Sequence, residues 1–100
     1  MKELNNHIKQ INEACSMNQV KRLFAFGSVT RNELKAESDI DFVVEINDSD
    51  PISYTDHYFA LKEKLEQLLK RPIDLLEEKA IRNPFLRSEI DKTKVMIYGE

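Results

Sequence analysis

The chain has a single cysteine, Cys15, and this scarcity excludes two kinds of stabilisation. One thiol forms no internal disulfide, and it cannot supply the several thiolates of a cysteine-rich zinc site. Proteins without a disulfide framework are typical of reducing compartments, so a cytoplasmic location is the simplest expectation.

Long apolar runs and an excess of positive charge are also missing. No run approaches the ~18 residues that a membrane-spanning helix needs, and the first residues lack the apolar core of a signal peptide. The chain has 15 Lys and Arg residues against 18 Asp and Glu residues, a formal charge of -3. We therefore expect no membrane association and no strong binding to nucleic acid, which requires many basic side chains to neutralise phosphates.

The length and the hydrophobic content predict one domain over residues 1–100. A chain of 100 residues with 41% hydrophobic residues can build a single small core. It has no room for a catalytic domain together with a separate substrate-binding domain.

The spacing of apolar residues predicts a mixture of helices and strands. Helical spacing over residues 2–16 and 53–70 predicts two long helices, and Asn83-Pro84 is typical of the start of another. The Ser28 hydroxyl is placed to cap a short helix that continues to about Leu34. Apolar and β-branched segments predict four strands, over residues 20–26, 39–46, 73–76 and 95–98.

The connections between these elements predict the topology. The connector between the first two strands is too short for a parallel crossover, so these strands should be antiparallel. The helix over residues 53–70 is long enough to return the third strand parallel to the second. The expected fold class is α+β, with two layers formed by a small mixed sheet and flanking helices.

Two carboxylates two positions apart, Asp39 and Asp41, begin the second predicted strand. In a strand such residues share one face, and two close carboxylates repel each other unless a cation lies between them. Magnesium prefers oxygen ligands and leaves positions open for phosphates, and two such ions stabilise a phosphoryl displacement. The alternative is a solvated polar edge of the strand.

The segment after the first strand has the composition of a phosphate-binding loop. Gly27 would allow backbone N–H groups and the Ser28 hydroxyl to approach a triphosphate, and the start of a helix there would favour the anion. Arg31 follows one turn later and could contact the same phosphates. The alternatives are an ordinary turn for Gly27-Ser28 and a solvated helix face for Arg31.

A third acid, Asp74, lies in the short apolar strand Ile73-Asp74-Leu75-Leu76. A carboxylate in such a strand costs free energy unless it is paired or binds a metal. Asp74 could complete the metal site or act as the general base that takes a proton from an acceptor hydroxyl. The structural alternative is an ion pair with Arg71 or a nearby lysine.

Gly27-Ser28, the ten-residue gap and Asp39-Ile40-Asp41 together resemble the signature of the polymerase-beta-type nucleotidyltransferase superfamily. The short length, Arg31, Asp74 and the segments over residues 83–87 and 95–98 resemble its minimal nucleotidyltransferase branch. The resemblance implies the nucleotidyltransferase fold. It further implies that Asp39, Asp41 and Asp74 bind Mg²⁺ and that Gly27 and Ser28 hold the triphosphate.

By the same resemblance, the protein would transfer a nucleoside monophosphate, AMP from ATP, to an acceptor hydroxyl. Minimal nucleotidyltransferases of this kind often pair with a HEPN-family toxin RNase, and some act as antitoxins by adenylylating a toxin tyrosine. Many relatives have a glycine where this chain has Asn32, a residue that tolerates left-handed backbone better than most. Two alternatives remain: a non-catalytic module that neutralises its partner by contact, and an enzyme that modifies an antibiotic.

Overall fold

A computed structural model describes residues 1–100 as four strands and four helices. The strands are β1 (Val20–Phe26), β2 (Ile40–Ile46), β3 (Ile73–Glu77) and β4 (Val95–Tyr98). The helices are α1 (Lys2–Asn5), α2 (Ile8–Met17), α3 (Pro51–Leu69) and α4 (Pro84–Thr93). Single 3₁₀ turns, Gly27–Val29 and Glu78–Ala80, follow β1 and β3. All four predicted strands are confirmed, each to within one residue at its ends.

The four strands form one mixed sheet in the order β3-β2-β1-β4. β1 pairs antiparallel with both β2 and β4, whereas β2 and β3 are parallel. The predicted topology is therefore confirmed, and the mixed α+β class with it. The antiparallel pairing brings the end of β1 next to the start of β2, and the parallel pairing brings the start of β3 to the same end of the sheet.

Apolar side chains fill both faces of this sheet. On one face, Ile40, Phe42 and Val44 of β2 belong to the main core, which also includes buried residues of α1, α2 and α3. On the other face, Val43 packs with Phe26 and with Ile90 of α4. The face that carries Asp41 is thus packed against α4 at Val43, and it carries polar groups on either side of that contact: Asp41 near the start of β2, and Glu45, paired with Arg22, near its end.

Local sequence explains where helices α3 and α4 begin. Asp50 accepts the backbone N–H of Ile52 at 3.3 Å, and Pro51 occupies the first helical position of α3. Asn83 accepts the N–H of Phe85 at 2.8 Å in the same way, with Pro84 opening α4. Both patterns satisfy N–H groups that have no partner within the helix.

Two helix predictions need correction. The helix over residues 2–16 is interrupted between α1 and α2 at Asn6 and His7, residues that are weak helix formers. The predicted helix from Ser28 to Leu34 is only the 3₁₀ turn, and no side chain caps it. Gly27 and Asn32 both have left-handed backbone, with φ of 75° and 58°, which a right-handed helix cannot include.

None of the helices combines the length and the hydropathy that crossing a bilayer would require.

Candidate functional site

The three predicted acids lie at one end of the sheet. Asp39 immediately precedes β2, and Asp41 lies within it. Asp74 is the register partner of Asp41 across the parallel β2–β3 pair. Paired residues of neighbouring strands are about 5 Å apart and point to the same face, so the Asp41 and Asp74 side chains are neighbours. Two separate segments therefore supply acids to one place.

Gly27 lies next to Asp41, on the β1 side of the three acids. Its neighbour Phe26 is the antiparallel partner of Asp41, so the turn that follows β1 begins next to that carboxylate. A Cβ atom on residue 27 would lie 3.1 Å from the Asp41 Oδ2 atom, and φ is 75°. Only glycine meets both conditions without strain, because it has no side chain and accepts positive φ.

The turn is held by its own backbone and by α4. The Ser28 carbonyl accepts the N–H groups of Arg31 at 3.2 Å and Glu33 at 3.0 Å. The Gly27 N–H donates to the Thr93 hydroxyl at 2.9 Å, and that hydroxyl donates to the Glu89 carbonyl at 2.8 Å. The half-buried Ser28 is thus presented on a fixed turn beside the carboxylates.

Sequence reasoning missed Thr93. It is 66 residues from Gly27, and no local pattern marks one threonine in an amphipathic helix as a contact for a distant turn.

Arg31 is not a solvated helix residue, because the helix predicted for it does not form. Its guanidinium forms an ion pair with Glu89 of α4, and both side chains are partly exposed. The residue after it, Asn32, adopts the left-handed backbone that a glycine would adopt there. Asparagine is one of the few residues other than glycine that tolerate this conformation.

Arg71 does not pair with Asp74, which was the structural alternative for that acid. Its guanidinium donates to three carbonyls of the connector before β2, those of Lys35 at 2.7 Å, Ala36 at 3.2 Å and Ser38 at 3.1 Å. Arg71 thereby anchors the segment that leads directly to Asp39. Since Asp74 forms no ion pair, the structural alternative for this acid is not what the fold uses.

The electrostatics of the acid group favour a bound cation. Partial burial, together with the nearby Asp74 and Asp39 carboxylates, raises the pKa of the Asp41 carboxyl from 3.8 to about 6. Three oxygen donors of like charge suit Mg²⁺, which would relieve their repulsion. The side chains of the three acids are not close enough together to form a metal site as they stand. Asp39 and Asp74 are exposed, however, so their side chains can rotate toward a bound ion.

The site is open to solvent and does not lie in a cavity. The five surface cavities of the molecule are lined by other residues, and none includes Asp39, Asp41, Asp74, Gly27 or Ser28. A large polar molecule that carries phosphates can therefore approach the acids from solvent. A second reactant could approach from the same side.

Comparison with known proteins agrees with this geometry. The family model described as the nucleotidyltransferase domain matches residues 7–97, which include every residue of the site. The chain belongs to the nucleotidyltransferase family. This membership confirms the resemblance seen in the spaced glycine-serine and aspartate motif, and it makes the protein an enzyme of the transferase class.

Two relatives from Methanocaldococcus jannaschii are named as candidate protein adenylyltransferases. One is 35% identical over 79 residues, covering 79% of this nucleotidyltransferase and 78% of the relative. Another is 32% identical over 94 residues, covering 94% and 90% of the two chains. Both relatives are close to this chain in length.

Solved structures share the fold. One is described as a candidate minimal nucleotidyltransferase. It has a TM-score of 0.76 and 26% identity, and the match covers 94% of this chain and 92% of the other chain. A toxin-antitoxin structure with AMP-PNP has a TM-score of 0.70 and 22% identity, covering 93% and 73%. A Shewanella oneidensis complex of a tri-AMPylated HEPN toxin with its nucleotidyltransferase antitoxin has a TM-score of 0.63 and 22% identity, covering 100% and 74%.

Proposed function

We propose that this nucleotidyltransferase transfers AMP from ATP, with Mg²⁺, to a tyrosine hydroxyl of a HEPN-family toxin and thereby acts as its antitoxin. The observation that carries the chemistry is the placement of Asp41 opposite Asp74 beside Gly27. Protein acceptors are favoured by the relatives named as candidate protein adenylyltransferases. The toxin partner is favoured by the complexes that share the fold.

In this reaction the acceptor oxygen attacks the α-phosphorus of ATP. A new phosphorus–oxygen bond forms, the bond between the α- and β-phosphates breaks, and pyrophosphate leaves. Asp39, Asp41 and Asp74 would hold the magnesium, which neutralises phosphate charge when it is bound. Gly27 and Ser28 would contact the triphosphate through the turn, and Arg31 would add a positive charge.

Asp74 is the acid best placed to receive the acceptor's proton. It is exposed and lies at an edge strand, since β3 is the outermost strand of the sheet. An acceptor on another molecule can reach it there, whereas Asp41 is half-buried under the turn. The chain itself offers little surface for a second substrate, so the partner would supply both the hydroxyl and the groups that orient it.

The test is transfer of labelled AMP from ATP to a purified HEPN toxin in the presence of Mg²⁺. We expect labelled toxin with the unaltered protein and none with Asp39→Ala or Asp41→Ala. Asp74→Asn should bind ATP but transfer AMP at least about 100-fold more slowly, because general-base assistance is lost. Asp56→Asn is the matched control, since Asp56 is an exposed acid of α3 outside the site.

The same experiment separates the alternatives. Equal neutralisation of the toxin by the unaltered protein and by both alanine variants would show that contact alone inhibits the toxin. Transfer of AMP to an aminoglycoside without any protein partner would show a small-molecule acceptor. Undiminished turnover in Asp74→Asn would remove Asp74 from the proton transfer.

A further inference from the structure

Helix α4 contacts the proposed phosphate-binding turn at two points. Thr93 accepts the Gly27 N–H at 2.9 Å, and Glu89 forms an ion pair with Arg31. Residues four apart on a helix share one face, so both contacts come from the face of α4 that is turned toward the site. The Thr93 contact orients the backbone of the turn. The Glu89 contact pairs with Arg31, the arginine of that turn.

The ion pair lies next to the turn that is proposed to bind the triphosphate. Arg31 follows Ser28 within the same turn, and its N–H donates to the Ser28 carbonyl at 3.2 Å. Its side chain is 41% exposed and that of Glu89 is 44% exposed, so solvent and a ligand can reach both groups. Arg31 has no other acidic partner in the chain, so Glu89 alone offsets its charge.

We propose that Glu89 competes with the triphosphate for Arg31 and thereby sets the affinity of the site for its nucleotide. This inference rests on the proposed function. A guanidinium binds phosphate oxygens through paired N–H donors, as it binds a carboxylate, so one anion can replace the other. The released Glu89 carboxylate loses little, because it is already half-exposed and water can solvate it.

Competition and simple positioning predict opposite results for the same substitution. Glu89→Gln removes the negative charge and keeps an oxygen that can accept an N–H of Arg31. If Glu89 competes with phosphate, this variant binds ATP more tightly. If Glu89 only orients Arg31 for the nucleotide, the variant binds ATP equally or more weakly.

The experiment measures ATP binding in Mg²⁺ by titration calorimetry, together with the KM for ATP and the kcat of AMP transfer. We expect Glu89→Gln to tighten ATP binding about two- to fivefold, the range for an exposed ion pair, with the change in KM and not in kcat. Because salt screens exposed charges, the gain should shrink as ionic strength rises. In an Arg31→Gln background, Glu89→Gln should change the affinity little.

Asp91→Asn is the matched control. It removes one negative charge from the same helix, and Asp91 pairs with Arg87 and Lys94 instead of Arg31. This control should leave ATP affinity within twofold of the unaltered protein, and thermal unfolding of each variant should confirm that it is folded.

Three outcomes would overturn the inference: weaker or unchanged ATP binding in Glu89→Gln, an equal gain in Asp91→Asn, or a gain that persists without Arg31. Absence of any ATP binding by the unaltered protein would instead overturn the proposed function, and this inference with it.

Discussion

Replacing Asp41 with asparagine should stabilise the protein in EDTA while it abolishes AMP transfer. Burial and the neighbouring Asp74 and Asp39 carboxylates raise the pKa of Asp41 from 3.8 to about 6. The folded state therefore holds the ionised form less favourably than the unfolded chain does. Asparagine has nearly the same shape and carries no charge, so it removes this cost at neutral pH.

The size of the effect follows from the shift in pKa. A rise in pKa from 3.8 to about 6 corresponds to about 3 kcal/mol at neutral pH, but Asp41 is only half-buried and solvent screening reduces this to about 1 kcal/mol. For a domain of this size, 1 kcal/mol changes the melting temperature by about 4–8 °C.

The pH dependence has a definite sign. A carboxyl whose folded-state pKa is raised contributes its full stability below the unfolded pKa of 3.8, and that contribution is lost as the pH rises through about 6. The advantage of Asp41→Asn should therefore be absent near pH 4 and complete above about pH 7.

Thermal and urea unfolding in EDTA between pH 4 and pH 8 measure this difference. Asp56→Asn, on the exposed side of α3, should show no comparable gain. Adding Mg²⁺ should stabilise the unaltered protein more than Asp41→Asn. A variant that is equally or less stable at pH 7.5 in EDTA, or a difference that does not change with pH, would refute the reasoning.

Two further predictions concern Gly27 and Cys15. Gly27→Ala should lower the free energy of unfolding by about 1–2 kcal/mol in urea titrations. The alanine Cβ would lie 3.1 Å from Asp41 Oδ2, and the backbone φ of 75° is unfavourable for alanine. An unchanged urea midpoint would contradict this prediction. Cys15 is buried, and burial raises its pKa to about 12. Iodoacetamide at pH 8 should therefore alkylate it only after unfolding, and rapid modification of the native protein would show that the thiol is accessible.

The parts of the site that are contiguous in sequence were predictable. Gly27-Ser28 follows a β-branched, aromatic run, and Asp39 and Asp41 open an alternating one, so strand periodicity and turn chemistry place them without tertiary information. The connector between them is too short for a parallel crossover, and the antiparallel pairing of β1 with β2 confirms that argument. Metal binding and the individual roles of these residues stay predictions.

Local rules failed at the turn after β1 and at Arg71. Ser28 has the chemistry of a helix cap, but the left-handed backbone at Gly27 and Asn32 makes a tight turn in place of a helix. Arg71 is adjacent in sequence to β3, yet it binds carbonyls more than thirty residues earlier. No periodic pattern encodes such long-range hydrogen bonds.

The amino-acid sequence by itself determined the strands, their pairing directions and the acids available for chemistry, because alternation of apolar residues and connector length act locally. Only the tertiary structure decided which groups surround those acids. The packing of α4 on the Asp41 face brings Thr93 to Gly27 and Glu89 to Arg31, contacts that depend on how a helix sits on a sheet and not on spacing along the chain.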